Sequence, residues 1–473
     1  VATISTLYLI SEWVIRIIML GVVTHRQQPL AGMSWLLIIF FQPWLGLFLY
    51  LTIGRTRIAE RRLEKQADLA AQLKALRDRF QHPEATGLEH LGHEEQMVTR
   101  TAETLGSFPA LGGNHVEVIA DQQGFFGALI TEIDRAQSNA HLLFYMLGKD
   151  DVAEEVYKAL DRAAARGVEC RMLFDDYGCR GKRRWLLRRM KKAGVSAHSM
   201  LPMFLARWLR GRFDVRNHRK IVVIDGRVAF TGSHNLIEPT YGKDILYHDM
   251  SLRIAGPAVS ALQTVFQQDW YFETGEVLHG EKVFPDTPVE GDEALQVVPD
   301  GPTYARQTYQ RLVVATLHTA RKRVVITTPY FIPDEALLQA LDTAVVRGVQ
   351  VDLVLPEKSD QIMVGQASRA YYDDLIDAGV RVWLFQDGLL HSKLMTVDDS
   401  FAFLGSSNLD VRSFRLNFEV NAILYNDTMA VRLREEQEAW IARAKRLDAD
   451  AWRRRPLRQK VAQDISKLFS PLL

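Results

Sequence analysis

Two stretches of this chain carry the same polar residues at the same intervals. His218-Arg219-Lys220 is followed by four apolar residues and Asp225, then by six residues and Gly232-Ser233-His234-Asn235. His391-Ser392-Lys393 is followed by four residues and Asp398, then by six residues and Gly405-Ser406-Ser407-Asn408. In a strand, residues i and i+2 share a face, so His218 points with Lys220 and His391 with Lys393. The apolar run that follows reads as a buried strand. The next strand, Val-Ala-Phe-Thr-Gly-Ser in the first copy, delivers Ser233 and Asn235. Ser406 and Asn408 hold the same places in the second copy. Two such polar tips facing across a pseudo-twofold axis enclose one anion-sized space.

That inventory suits a phosphodiester. Lys220 and Lys393, with Ser233, Asn235, Ser406 and Asn408, can hold non-bridging oxygens and stabilise charge that builds in the transition state. One histidine can attack phosphorus while the other protonates the leaving alkoxide. An imidazole pKa near 6.5 allows one neutral and one charged ring at neutral pH. The scheme requires no metal or other cofactor. Each histidine needs an acid on its other nitrogen. Asp249 follows the first motif and Glu419 the second, so each acid is expected beside the histidine of its own copy. Spacing groups Asp225 and Asp398 with the catalytic set, although their turn positions after a strand favour a structural role.

The elements that must position these residues also repeat. Ala165-Arg166-Gly167-Val168 leads into a strand, as does Val346-Arg347-Gly348-Val349 about 180 residues later. Ala193-Gly194-Val195 returns as Ala378-Gly379-Val380. Amphipathic helices alternate with apolar strands from about Val116. The fold class is α/β: two pseudo-symmetric α/β lobes, at residues 115–288 and 289–450, preceded by an N-terminal two-helix transmembrane hairpin. Residues 55–114 read as a charged helix and linker, and residues 451–473 as an amphipathic segment. Gly32 to Gly54 contains no charged residue and has the ~20-residue length of a bilayer span. Pro43 marks a kink in it. Residues 1–23 are mostly apolar but carry Glu12 and Arg16, which are four apart and able to pair. Arg26 is the only full positive charge in the turn, whereas Arg55, Arg57, Arg61, Arg62 and Lys65 follow the second span. The positive-inside rule therefore puts the lobes in the cytoplasm.

Composition limits the partners. A net charge of +1 gives no global attraction to nucleic acid, and two cysteines, Cys170 and Cys179, make no disulfide framework. Met203 to Phe213 and Trp452 to Leu473 mix apolar and basic residues and suit an anionic leaflet.

At the paired motifs the chain resembles the phospholipase D superfamily, and within it the bacterial cardiolipin synthases. Thr-Thr-Pro-Tyr-Phe-Ile-Pro at Thr327–Pro333, Gly-Leu-Leu-His-Ser-Lys at Gly388–Lys393 and the run Asn408–Glu419 carry the likeness, which spans nearly the whole chain. The resemblance implies phosphatidyl transfer between two phosphatidylglycerol molecules through a phosphatidyl-histidine, giving cardiolipin and glycerol in the bacterial inner membrane. Family precedent makes His218 the nucleophile and His391 the acid/base, a choice that sequence symmetry leaves open. It also leaves open homo-oligomerisation, a related phosphatidyltransferase or hydrolase with another acceptor, and a non-catalytic anionic-lipid scaffold.

Overall fold

The computed structural model describes residues 2–27, 29–54, 88, 91–202, 214–241, 244–304, 307–468 and 470. The expected charged helix after Gly54, with its five basic residues, lies outside them, as does the Met203–Phe213 segment. The chain divides into two compact units, residues 1–71 with 201–215, and residues 72–200 with 216–473.

In the first unit, helix Ala2–Arg26 contains one stretch, Ser5–Arg26, long and apolar enough to cross a membrane. Glu12 and Arg16 pair at 3.4 Å. The expected second span is not one helix. It breaks into Pro29–Phe41 and Pro43–Leu49, ending in a single π turn, Tyr50–Gly54. Proline has no N–H and drives the residue before it out of the helical region, and Gln42 accordingly sits at φ −136°, ψ 86°. Ile15, Met19, Val23, Ile39 and Tyr50 form the core of this unit.

The second unit holds both lobes in one sixteen-stranded sheet. The first repeat opens with strand Leu111–Ile119, a few residues ahead of the expected start. From the edge inward its strands run Ser196–Met200, Glu169–Asp175, Asn139–Phe144, Ile221–Ile224, Val228–Gly232, Ser251–Ala255 and Leu111–Ile119. The second repeat runs in the same order: Arg381–Phe385, Gln350–Pro356, Arg323–Thr327, Leu394–Val397, Phe401–Gly405, Asn417–Tyr425 and Glu293–Asp300, with Ala444–Arg446 added outside. The outer three strands of each repeat are parallel, joined by helical crossovers such as Asp151–Ala165 and Glu335–Val346. Helices flank such strands, which is why they read as continuous apolar runs. The lobes join where Leu111 and Asn114 pair antiparallel with Leu295 and Glu293.

Helix Leu457–Leu468 docks on this unit through Arg455–Asp373, Lys467–Asp374 and the buried Gln463. Its other face leaves Leu457, Val461, Ile465 and Leu468 exposed, at helical spacing. Most of the closing Phe-Ser-Pro-Leu-Leu lies outside the described residues.

Candidate active site

Each motif histidine is fixed by a strand from the opposite lobe. The two-residue strand Arg216–Asn217 pairs in parallel with Asn417–Phe418, and the His218 N–H donates to Phe418 O at 2.8 Å. Leu389–Leu390 pairs in parallel with Tyr247–His248, and the His391 N–H donates to His248 O at 2.9 Å. The residues after Phe418 and His248 are Glu419 and Asp249. The pairing therefore crosses the acids between lobes: His218 Nδ1 lies 3.1 Å from Glu419 Oε2, and His391 Nδ1 lies 2.6 Å from Asp249 Oδ1. This corrects the expectation that each acid serves the histidine of its own copy.

The neighbours of each Nδ1 set its tautomer. His218 Nδ1 also faces Ser406 O at 3.0 Å. Its surroundings are acceptors, so the proton sits on Nδ1 and Nε2 presents a lone pair. Burial pushes His218 down to about 4, against the opposing charge of Glu419. Burial and the Lys393 charge also lower His391. Burial alone would raise the two carboxyls, but His218 and Lys220 hold Glu419 below the carboxylate range, and His391 and Lys393 do the same for Asp249. Both acids are thus ionised and both resting rings neutral at pH 7.

Ser233 and Ser406 were expected on the phosphate. Both are instead turned to the acids and fully buried. Ser233 Oγ donates to Asp249 Oδ1 at 2.6 Å and accepts the Met250 N–H. Ser406 Oγ donates to Glu419 Oε2 at 2.5 Å and accepts the Val420 N–H. These serines aim the carboxylates. Asn235 is also engaged, accepting the Met146 N–H and donating to Tyr241 Oη. Asn408 Oδ1 is buried without a partner among the described residues, so of the two asparagines its amide is the one left with an unused group.

Lys220 Nζ donates to His218 O at 2.7 Å, and Lys393 Nζ to His391 O at 2.5 Å. Each ammonium keeps further protons for an anion. Burial, then mutual repulsion, drives Lys220 well below its usual range. Burial brings Lys393 to about 8 despite Asp249 and Glu419. The charges of both lysines act on both histidines, so the two motifs form one electrostatic site.

Asp225 and Asp398 lie elsewhere, at the far ends of the motif strands, in left-handed conformations (φ 53° and 51°) that aspartate tolerates. Asp225 accepts the N–H groups of Gln137, Ser138 and Asn139, and Asp398 those of Arg321, Lys322 and Arg323. They start the strands Asn139–Phe144 and Arg323–Thr327. This departs from the catalytic grouping that their spacing gave them.

Several site residues carried no sequence signal. The Tyr145 ring meets His218 edge-on at 4.9 Å, and Tyr247 meets His391 at 5.5 Å. Tyr241 donates to Asp249 Oδ2 at 3.0 Å. The variable middle residue of each motif also contributes. Buried Arg219 donates to Glu419 O and pairs with Asp269, while Ser392 donates to His248 O, so each motif braces the acid-bearing strand of the other lobe.

A duplicated α/β sheet with a His-Lys pair from each half at one site defines a phospholipase D-type fold. Phosphatidylserine synthase of Haemophilus influenzae Rd KW20 shares that fold at a TM-score of 0.61 and 16% identity, over 79% of this chain and 99% of its own. The family model described as cardiolipin synthase, PLD-like domain matches residues 129–270 and 313–440, and one described as phospholipase D-nuclease N-terminal matches residues 13–55. Cardiolipin synthase A of Proteus mirabilis (strain HI4320) is 33% identical over 462 residues, 96% of this chain and 95% of that protein. Cardiolipin synthase A of Pectobacterium carotovorum subsp. carotovorum (strain PC1) is 33% identical over 488 residues, 99% and 100% of the two chains. The chain belongs to the PLD-like cardiolipin synthase family.

Proposed function

We propose that this chain is a cardiolipin synthase, a phosphatidyltransferase that joins two phosphatidylglycerol molecules through a phosphatidyl-histidine on His218. The observation that carries the reading is the pair of crossed His–carboxylate contacts beside two buried lysines. His218 Nε2 attacks phosphorus, and the bond from phosphorus to the terminal glycerol oxygen breaks. His391 gives that oxygen its Nε2 proton, and glycerol leaves. The anionic phosphate, held by Lys220 and Lys393, favours the protonated form of His391 that this step needs. The terminal hydroxyl of a second phosphatidylglycerol then gives its proton to His391 Nε2 and attacks phosphorus. The P–N bond breaks, and cardiolipin forms. Glu419 stabilises the positive ring of the adduct, and Asp249 the imidazolium of His391.

The acceptor is a membrane phospholipid rather than nucleic acid, in keeping with the near-neutral chain. Helix Ser5–Arg26 anchors the enzyme in the bacterial inner membrane. The basic run after Gly54 keeps the lobes on the cytoplasmic side. The exposed stripe Leu457, Val461, Ile465 and Leu468 rests on the leaflet. Incubating the purified protein with labelled phosphatidylglycerol tests the reaction. Cardiolipin and free glycerol are expected, with little phosphatidic acid. Phosphatidic acid as the main product would make the enzyme a hydrolase.

A further inference from the structure

Residues 29–54 fold back on themselves. Ile39 and Gly46 lie on opposite sides of the Gln42 break, and a Cβ on Gly46 would sit 2.6 Å from the Ile39 Cα. Further from the break, the Trp35 and Tyr50 rings meet edge-on at 5.4 Å. At the open end, Gln27 Nε2 donates to Gly54 O at 2.5 Å. Contacts at 39–46, 35–50 and 27–54 are those of an antiparallel helical hairpin. The chain thus returns at Gly54 to the level at which it left helix Ala2–Arg26.

The tip has a depth and a cap. Arg16 Nε donates to Phe40 O at 3.1 Å, one of the carbonyls that the break at Gln42 frees. Ten residues of helix separate Arg16 from Arg26, about 15 Å of rise, or half of a ~30 Å hydrocarbon core. Irregular backbone is tolerated at that depth only where protein groups satisfy it, and the Glu12–Arg16 pair supplies a donor there. The outer faces are mostly apolar: Ile17, Ile18, Met33, Leu37, Phe41 and Phe48 are exposed, with Ser34 and, at the tip, Gln42 the polar exceptions along the hairpin. Such a continuous surface fits lipid tails.

We infer that Ser5–Arg26 is the membrane crossing, and that residues 29–54 form a re-entrant hairpin that enters and leaves on one face with its tip capped by Arg16 near the midplane. The N-terminal end of the crossing and the catalytic lobes then lie on opposite faces. The turn at His25 lies on the face of the lobes. Two full spans would place the N-terminal end with the lobes and His25 opposite them.

Three variants of the full chain, each adding one cysteine, separate the arrangements: Ser5→Cys, His25→Cys and Asp286→Cys, each at an exposed position. The native Cys170 and Cys179 are buried and give little background. A membrane-impermeant maleimide is applied to right-side-out and inside-out vesicles. His25→Cys and Asp286→Cys are expected to label in the same vesicle orientation, and Ser5→Cys in the other, each with at least tenfold preference. Ser5→Cys labelling with Asp286→Cys, and His25→Cys apart from them, restores two spans and overturns the inference. All three labelling from one face also overturns it, because no helix then crosses. A peptide tag ahead of Val1 on the otherwise unsubstituted chain, read by protection from added protease, gives the same answer if a variant fails to insert.

Discussion

Glu419→Gln removes one charge from the site, together with the bond that the second carboxylate oxygen accepts from Asn417 Nδ2 at 3.2 Å. The glutamine keeps the length of the side chain, and its Oε1 can still accept the His218 Nδ1–H. What is lost is a buried carboxylate whose oxygen lies 3.1 Å from that nitrogen. At an effective dielectric of ~20 and a charge separation of ~4 Å, the carboxylate stabilises a positive imidazole by about 4 kcal/mol. Because the hydrogen bond partly survives, adduct formation should slow by roughly 10²- to 10³-fold. The assay is rapid-quench trapping of protein-bound label from phosphatidylglycerol labelled at phosphorus. A second substrate, with p-nitrophenol in place of the leaving glycerol, needs no proton on departure. Asp249→Asn acts through His391, so this substrate should restore its adduct rate to within about tenfold of the unsubstituted enzyme. Glu419→Gln acts on the attacking ring and should stay slow with both substrates. The opposite pattern, with Glu419→Gln rescued and Asp249→Asn still slow, would exchange the roles of the histidines. Less than a tenfold effect from both variants would refute the idea that the crossed acids support the charged rings.

His218→Ala should abolish both cardiolipin and trapped lipid, while His391→Ala should still form some adduct but lose turnover by several orders of magnitude, because nucleophile and acid act as a unit; peptide mapping of the adduct to His391 in the unsubstituted enzyme would reverse the assignment. Asp225→Asn should lower the free energy of unfolding by about 1–3 kcal/mol, with activity per folded molecule within a few-fold, since it loses charge-assisted bonds to a strand start and no substrate contact; an unaltered melting temperature with lost activity would return Asp225 to the catalytic set. Lys393 sits at about 8 in the folded enzyme and near 10.4 when unfolded. Its charge on the phosphate is lost as pH rises through 8, so kcat/KM should fall above that point, and Lys393→Arg should remove this limb from the pH profile. The sign for stability is the reverse. Between about 8 and 10.4 the unfolded state binds more protons at this site, so the Lys393 contribution to stability rises with pH across that window, which urea titrations at several pH values would measure.

The reaction site was largely legible in the sequence because strand geometry is local. The apolar run Ile221–Ile224 forms the expected strand, and the turn at Asp225 leads to the return strand Val228–Gly232, which ends just before Ser233 and Asn235, while His218 and Lys220 immediately precede the first of these strands. Duplication was equally legible, since two copies of one motif at one interval imply two copies of one hairpin. The apolar N-terminal segments needed only composition. Three features were decided by tertiary structure. Which acid meets which histidine depends on the pairing of Arg216–Asn217 with Asn417–Phe418, strands about 200 residues apart whose register no local pattern encodes. The roles of Ser233, Ser406, Asp225 and Asp398 depend on which donors and acceptors surround them once buried. Residues 32–54 are uncharged and mostly apolar, a pattern equally suited to a straight span and to a folded hairpin. Pro43 announces only a break, whereas the direction after it is set by Gly46 packing on Ile39 and by Arg16 reaching the Phe40 carbonyl. Periodicity fixes which face a side chain takes within its own element. Contacts between elements are chosen by packing and by the need to satisfy buried polar groups, and these act only once distant segments have come together.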